Sequence, residues 1–378
     1  MRFELTEDQR ALRDAVREFC REEILPVARQ IDETEKIPPE LREKIAGLGL
    51  WGMLVPAEHG GLALDAVSYC AVIEELARAS AALCIAVSVH NSVGCSAVAL
   101  FGTEEQKKRY LPRMVSKDIV AFALTEPGAG SDAAALRTSA RADGEDYVLD
   151  GSKVFVTNGE ASGLVVLFAR TGGEGHRGIS AFLVEKSTPG LKVGTKELKM
   201  GLRGSDTVEI VLENCRVPRT QLLGREGEGF KIAMSLLDSG RVGVAAQAVG
   251  IARAAFEEAR AYAATRVQFG RSIAEFQAVQ WMIADMGVAV ETARLLMMRA
   301  AWMKDAGIPC TREASMAKLY ASEKASFVCD RAVQIHGGYG YIRDYPVERY
   351  YRDARVTSLY EGTSEIQRIV IARSLLRD

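Results

Sequence analysis

The chain lacks the local patterns that mark several large enzyme classes. Its four histidines (His59, His90, His176, His336) are scattered, and there is no HExxH and no cluster of Asp, Glu and Cys with ligand spacing. Metal-hydrolase chemistry is therefore not signalled. No GxSxG presents a serine nucleophile, no GxGxxG stands between a strand and a helix, and no GxxxxGK[ST] occurs. These absences argue against acyl-enzyme, Rossmann and P-loop mechanisms. Cysteine is sparse and odd in number, seven residues with no CxxC pair. Neither a disulfide framework nor a zinc ribbon is indicated, and a reducing compartment is expected. Neither charge sign is in excess: 48 Lys and Arg face 50 Asp and Glu, a net charge of −2, so no nucleic-acid footprint is present.

Long uncharged runs are also scarce, with one exception. Ala79 to Thr103 carries no Asp, Glu, Lys or Arg, which is enough residues to cross a bilayer as a helix. Ser80, Ser88, His90, Asn91, Ser92 and Ser96 interrupt it, so a helix buried among other helices is expected rather than a membrane span. The first ten residues have neither the apolar core of a signal peptide nor the basic character of a transit peptide, and a cytoplasmic location is expected.

What is present is ample. With 378 residues, 48 % hydrophobic and 26 % charged, the chain has material for two or three domains at roughly 150 residues each. Three regions differ in pattern. Residues 1–120 read as helices, beginning with Thr6 and Gln9 as a capping-box pair and continuing through Leu41–Leu48, Val67–Ala79, the uncharged stretch and Glu104–Val115. Residues 121–227 read as a β domain, with strands at Tyr147–Thr157, Leu164–Ala169, Ile179–Val184 and Val208–Leu212. Residues 228–378 are helical again, with long segments Phe230–Thr265, Ile273–Ala306 and Thr311–His336 and a last helix from about Ser364, which suggests a helix bundle.

Three segments could carry chemistry. Leu124-Thr-Glu-Pro-Gly-Ala-Gly-Ser-Asp132 reads either as a tight connecting turn or as a glycine loop whose amides approach a ligand. Gln334-Ile-His-Gly-Gly-Tyr-Gly-Tyr341 reads either as a helix C-cap or as a ligand contact. In Tyr360-Glu-Gly-Thr-Ser-Glu-Ile-Gln367, Thr363 or Ser364 can cap the last helix, and Glu361 lies before it in the loop, as a solvated carboxylate or a catalytic one.

Together and in this order, these segments resemble the acyl-CoA dehydrogenase family of flavoproteins. The likeness runs along essentially the whole chain and rests on Thr125–Asp132, on Gln334–Gly338 with Tyr345-Pro-Val-Glu348 and Arg352-Asp-Ala-Arg355, and on Tyr360–Glu365. The fold it implies is α+β and multidomain: an N-terminal helical domain, a middle β domain and a C-terminal four-helix bundle. It also implies FAD, an acyl-CoA substrate, an electron-transfer flavoprotein as electron acceptor, and a homotetramer built as a dimer of dimers.

By the same resemblance, Glu361 matches the base that removes the α-proton of the thioester while the β-hydride leaves to flavin N5, giving a trans-2-enoyl-CoA. Such a base needs a raised pKa and the thioester carbonyl needs donors, which the family provides through the FAD ribityl hydroxyl and the backbone amide matching Glu361. Some relatives carry the base at the position matched here by Gly240, which cannot serve, so the chain looks like the short- or medium-chain type, with branched substrates open. The implied FAD contacts are Phe122, Leu124, Thr125, Gly130, Ser131, Phe155, Thr157, Arg266, Phe269, Gln277, Gln334, Gly337, Gly338, Thr363 and Glu365. Ser131, Asp238, Arg241, Tyr360 and Gly362 match substrate contacts. Phe155 stands where many relatives have Trp, which keeps a ring but loses the indole N–H. The alternative reading is a flavoprotein of the same fold, an oxidase or monooxygenase, that reacts with oxygen.

Overall fold

A computed structural model describes residues 4–377. The N-terminal helices are α1 (Glu7–Phe19), α2 (Ala28–Thr34), α3 (Pro39–Gly47), α4 (Ala66–Ala79), α5 (Ala81–Val89), α6 (Ser96–Phe101) and α7 (Glu104–Ser116). The expected capping box opens α1: the Thr6 hydroxyl accepts from the Gln9 amide, and the Gln9 side chain accepts from the Thr6 amide.

The uncharged stretch is not one regular helix. Between α5 and α6 the residues His90–Cys95 form a wide π-helical turn. Its polar side chains explain the widening, because they bind backbone groups outside the segment. Asn91 Nδ2 donates to Leu50 O at 2.9 Å, and His90 Nδ1 accepts from the Val120 amide at 3.0 Å. By length and composition Ala81–Phe101 could cross a membrane, yet 89 % of its most apolar window is buried inside the protein.

The middle region is an eight-stranded sheet of β1 (Ile119–Ala123), β2 (Ser139–Asp143), β3 (Asp146–Thr157), β4 (Ser162–Arg170), β5 (Ile179–Glu185), β6 (Leu191–Lys196), β7 (Thr207–Pro218) and β8 (Leu222–Leu223). The strand order is β6-β7-β3-β2-β4-β5-β8, with β1 parallel to β4. Four strands match the expected ones. Of the others, β1 is five residues long, β2 and β6 each bury a single residue, and β8 has two residues, so none carries a long alternating pattern.

The third region holds α8 (Gly229–Thr265), a small hairpin β9 (Val267–Gln268) and β10 (Arg271–Ser272), then α9 (Gln277–Asp305), α10 (Thr311–His336), α11 (Val347–Arg355) and α12 (Ser364–Leu375). The hairpin and a 3-10 turn at Ile273–Glu275 delay α9 by four residues relative to expectation, and α11 was not anticipated.

Helix α8 packs against α4 and α5 of the first region and α9, α10 and α11 of its own, so one apolar core spans both helical regions. Small residues make this possible. A Cβ at Gly250 would lie 2.4 Å from Glu74 O and 2.7 Å from Ala77 Cβ, so α8 and α4 touch backbone to backbone. Buried carboxylates on α4 reinforce the contact: Arg253 Nη1 sits 2.9 Å from both Glu74 and Glu75, Arg294 reaches Glu74 at 3.0 Å and Arg17 reaches Glu75 at 2.8 Å. Gly250→Val is expected to force α8 away from α4 and to lower stability by roughly 3 kcal/mol, measured by urea denaturation of the holoprotein.

Candidate active site

The loop before α12 turns sharply. Glu361 has φ +51° and Gly362 φ +91°, so a residue with a side chain and a glycine both occupy the left-handed region. For Glu361 this conformation costs energy, and neighbouring groups hold it. Gln367 Nε2 donates to Glu361 O at 3.2 Å and to Gly362 O at 2.9 Å, while Lys318 Nζ donates to Gly362 O at 2.7 Å. Thr363 caps α12 by accepting from the Ile366 amide, as one expected alternative had it.

The Glu361 side chain points at α8. A Cβ at Gly240 would lie 2.1 Å from Glu361 Oε2, so glycine leaves the space that this carboxylate occupies. Glu361 Oε2 is buried and has no hydrogen-bond partner among the described residues. Burial raises the pKa of this carboxyl to about 7, against the opposing pull of Lys318 and then Arg241. Arg241 is tied to Asp238 at 2.6 Å, and Asp238 also accepts from Thr311 Oγ1 at 2.7 Å. Tyr360 OH donates to Gln247 Oε1, and Gln247 Nε2 donates to Ala81 O at 3.2 Å. Tyr69 and Ser88 join hydroxyl to hydroxyl at 2.9 Å, against the α8 backbone at Gly243.

The glycine loop is fixed to β3. The Val154 amide donates to Thr125 O at 2.9 Å, and the buried Lys153 ammonium reaches Glu126 Oε1 at 2.7 Å and Leu124 O at 3.2 Å. Glu126 also accepts from the Arg137 and Thr138 amides at 2.6 and 2.9 Å, so its carboxylate closes the loop. Leu124 and Thr125 thus lie against β3, the strand that also carries Phe155 and Thr157. Asn158, directly after Thr157, donates to Ala86 O on α5, the helix that carries Ser88. Phe155 is largely exposed at φ +57°, presenting its ring outward.

A second group gathers elsewhere. Arg266, Gly337 and Gly338 line an open cavity of about 480 Å³ with Tyr262, His336 and Tyr339, and none of the first group lines it. Gly337 ends α10 at φ +59°, so the C-cap reading of this segment holds alongside its place in a cavity. Phe269, at φ +52°, is almost fully exposed on the β9–β10 hairpin. Gln277 begins α9, Gln334 lies in the last turn of α10, and both are exposed, as are Gly130, Ser131 and Glu365. Phe122 lies within β1 with its ring 4.9 Å from Phe168.

These groups suit a dinucleotide. Arg266 makes no ion pair among the described residues and stacks on Tyr339 at 5.5 Å, and a Cβ at Gly337 or Gly338 would meet nothing within 4 Å. A free guanidinium beside open glycine backbone is the donor set a pyrophosphate requires. Sequence reading passed over Lys318, Gln367, Lys153 and Gln247. Lys318 alone left a trace, a charged residue on the helical face of Ala314, Ala321 and Ala325.

The fold and this loop define a three-domain flavoprotein oxidoreductase. Family models for the acyl-CoA dehydrogenase N-terminal, middle and C-terminal domains match residues 6–118, 121–215 and 227–376. The chain belongs to the acyl-CoA dehydrogenase family, whose enzymes are FAD flavoproteins. It is 48 % identical over 379 residues to the short-chain specific acyl-CoA dehydrogenase of Clostridium acetobutylicum, with both chains covered in full. Among solved structures, butyryl-CoA dehydrogenase of Megasphaera elsdenii is 42 % identical with a TM-score of 0.98, covering all of both chains. A chain solved in work on the electron transferring flavoprotein of Acidaminococcus fermentans is 47 % identical with a TM-score of 0.98 and the same full coverage.

The Lys153–Glu126 pair yields a test independent of turnover. Glu126→Gln leaves a buried ammonium without its anion and is expected to cost roughly 3 kcal/mol, read from chemical denaturation at pH 7.

Proposed function

We propose that this chain oxidises short-chain acyl-CoA thioesters to their trans-2-enoyl-CoA products, with Glu361 as the base. The observation that carries the reading is the buried Oε2 of Glu361, which lacks a partner and faces the bare backbone of Gly240. An α-proton beside a thioester is a weak acid, and a carboxylate whose pKa is raised to about 7 is a stronger base than a solvated one while still ionised near neutrality. Its fixed turn supplies orientation before substrate arrives. The FAD held by the two residue groups supplies the hydride acceptor and a visible absorption band. Phe155 offers a ring for stacking, Leu124 and Thr125 offer loop backbone, and Arg266 with Gly337 and Gly338 offers phosphate donors. Asp238 and Arg241, paired beside Gly240, stand at the substrate side with Ser131, Tyr360 and Gly362.

Chain length follows from Gln247. Its amide is held at both ends, by Tyr360 and by Ala81 O, so a polar, immobile group stands beyond the base between α8 and α5. Removing it from its partners to admit a long alkyl tail would strand buried polar atoms. This favours a short acyl group, in agreement with the names of the relatives. We further propose an electron-transfer flavoprotein as the acceptor, on the likeness to the Acidaminococcus chain.

The chain is proposed to assemble as a tetramer. Trp281, Val288, Leu295 and Trp302 recur every seven residues on α9 and are all exposed, an apolar stripe that a second copy would cover. Val288→Glu is expected to reduce the mass found by light scattering, with the FAD-loaded wild type at four chains.

The activity is tested by anaerobic titration of the flavin band with acyl-CoAs from butyryl to octanoyl, including isobutyryl and isovaleryl. Butyryl-CoA is expected to bleach the band fastest, and the rate to rise with pH through about 7, because Glu361 must lose its proton to act. Glu361→Gln should keep its FAD and lose at least about a thousandfold in rate. Reduction of that variant at near the wild-type rate removes Glu361 from the role.

A further inference from the structure

Helix α10 buries an ammonium group without a carboxylate against it. Lys318 is fully buried, and its Nζ donates to Gly362 O at 2.7 Å. Among the described residues, no acidic side chain lies within the 4.0 Å of an ion pair. Lys153, the other fully buried lysine among the largest buried side chains, contrasts with it, since Lys153 sits directly on Glu126. An ammonium has three N–H donors and is costly to bury, so a lysine held on one carbonyl is unusual unless its charge has a further use.

That use faces Glu361. Lys318 and Gln367 converge on Gly362 O from different helices, α10 and α12, and together they hold the left-handed turn that aims the carboxylate at Gly240. The groups around the carboxylate are few. On α8 stands Arg241, whose charge is already taken up by Asp238, on α4 the phenol of Tyr69 and beside Glu361 the phenol of Tyr360, while Glu365 of α12 and Glu323 of α10 act on Lys318 from further off. Lys318 is the cation of this set without an ion-pair partner.

We propose that Lys318 is a positioning residue for the base, clamping the Glu361–Gly362 turn through the Gly362 carbonyl and supplying the unpaired positive charge that keeps the Glu361 carboxylate ionised in a dry site. Electrostatics agree with the geometry. Burial lowers the pKa of Lys318 to about 8, and Glu361 is the strongest influence opposing that fall, while Lys318 is the strongest influence opposing the rise at Glu361. The sign follows: without the cation the carboxylate is harder to ionise, and the base is protonated to higher pH.

This inference rests on Glu361 being the base, and the experiment separates the two. On FAD-loaded protein, the carboxyl stretch of Glu361 is followed by difference infrared spectroscopy against pH, assigned by its loss in Glu361→Gln. Lys318→Met removes charge and donor, Lys318→Gln keeps a donor for Gly362 O without the charge, and Lys318→Arg keeps the charge. The Met and Gln variants are expected to raise the titration midpoint by about one pH unit or more and to move the acid limb of kcat the same way. KM for butyryl-CoA should change by less than about threefold, because Lys318 is fully buried and its ammonium is spent on the Gly362 carbonyl. Lys318→Arg should restore the wild-type midpoint.

A midpoint and acid limb unmoved in Lys318→Gln, with Glu361→Gln inactive, overturn the role of Lys318 alone. Full turnover in Glu361→Gln overturns the base and this inference with it. Should Lys318→Met fail to hold FAD, the Gln and Arg pair decides the question through the same midpoint.

Discussion

Helix α8 joins two helical regions that the β domain separates in sequence, and everything at the site is placed relative to it. Its contact with α4 is close enough that Gly250 has no room for a methyl group. At that distance the buried glutamates of α4 reach arginines on α8 and α9, and one core forms from residues more than a hundred positions apart. The same closeness recurs ten residues earlier, where Gly240 admits the Glu361 carboxylate. Small residues on α8 therefore do two things at different heights of one helix: they bring helices together, and they leave space for the Glu361 carboxylate.

The electrostatics of the site follow from that packing. Bringing α4, α5, α8 and α10 together removes water from around Glu361, and water is what keeps an ordinary glutamate acidic. Desolvation alone would push the carboxyl upward without limit to its usefulness, since a base that never ionises cannot take a proton. Lys318 and Arg241 oppose it, and the outcome is a group poised near neutrality. The backbone takes part as well. Three residues implicated from sequence, Phe155, Phe269 and Glu361, have positive φ without being glycine, which places strain where side chains must be presented in one direction.

How much could be read beforehand depended on how local each signal was. The capping box at Thr6, the strands β3, β4, β5 and β7 and the helices α8 and α10 carry their own patterns, because caps and amphipathic periods involve residues a few positions apart. Strands β2 and β6 did not, being mostly exposed and polar. The π-helical turn at His90–Cys95 did not either, since its cause lies in Leu50 and Val120, partners distant in sequence. Within the site, Glu361 and the glycine loop were visible through motifs. Gln247 and Lys318 were hidden, as an amide and a lysine in long alanine-rich helices announce nothing until their neighbours are known.

Composition and motif order by themselves determined the class of this protein: no metal or phosphate-loop signature, a helical, β, helical succession, and three loops in the order of the acyl-CoA dehydrogenase family. Those features are local, and a local feature survives being read along a line. Tertiary structure alone decided that Gly240 and Glu361 face each other, that the residues expected around the cofactor fall into two groups, and that a buried lysine holds the turn behind the Glu361 carboxylate. Each depends on desolvation and on distances across the fold, and these arise only when α8 brings remote segments within reach of one another.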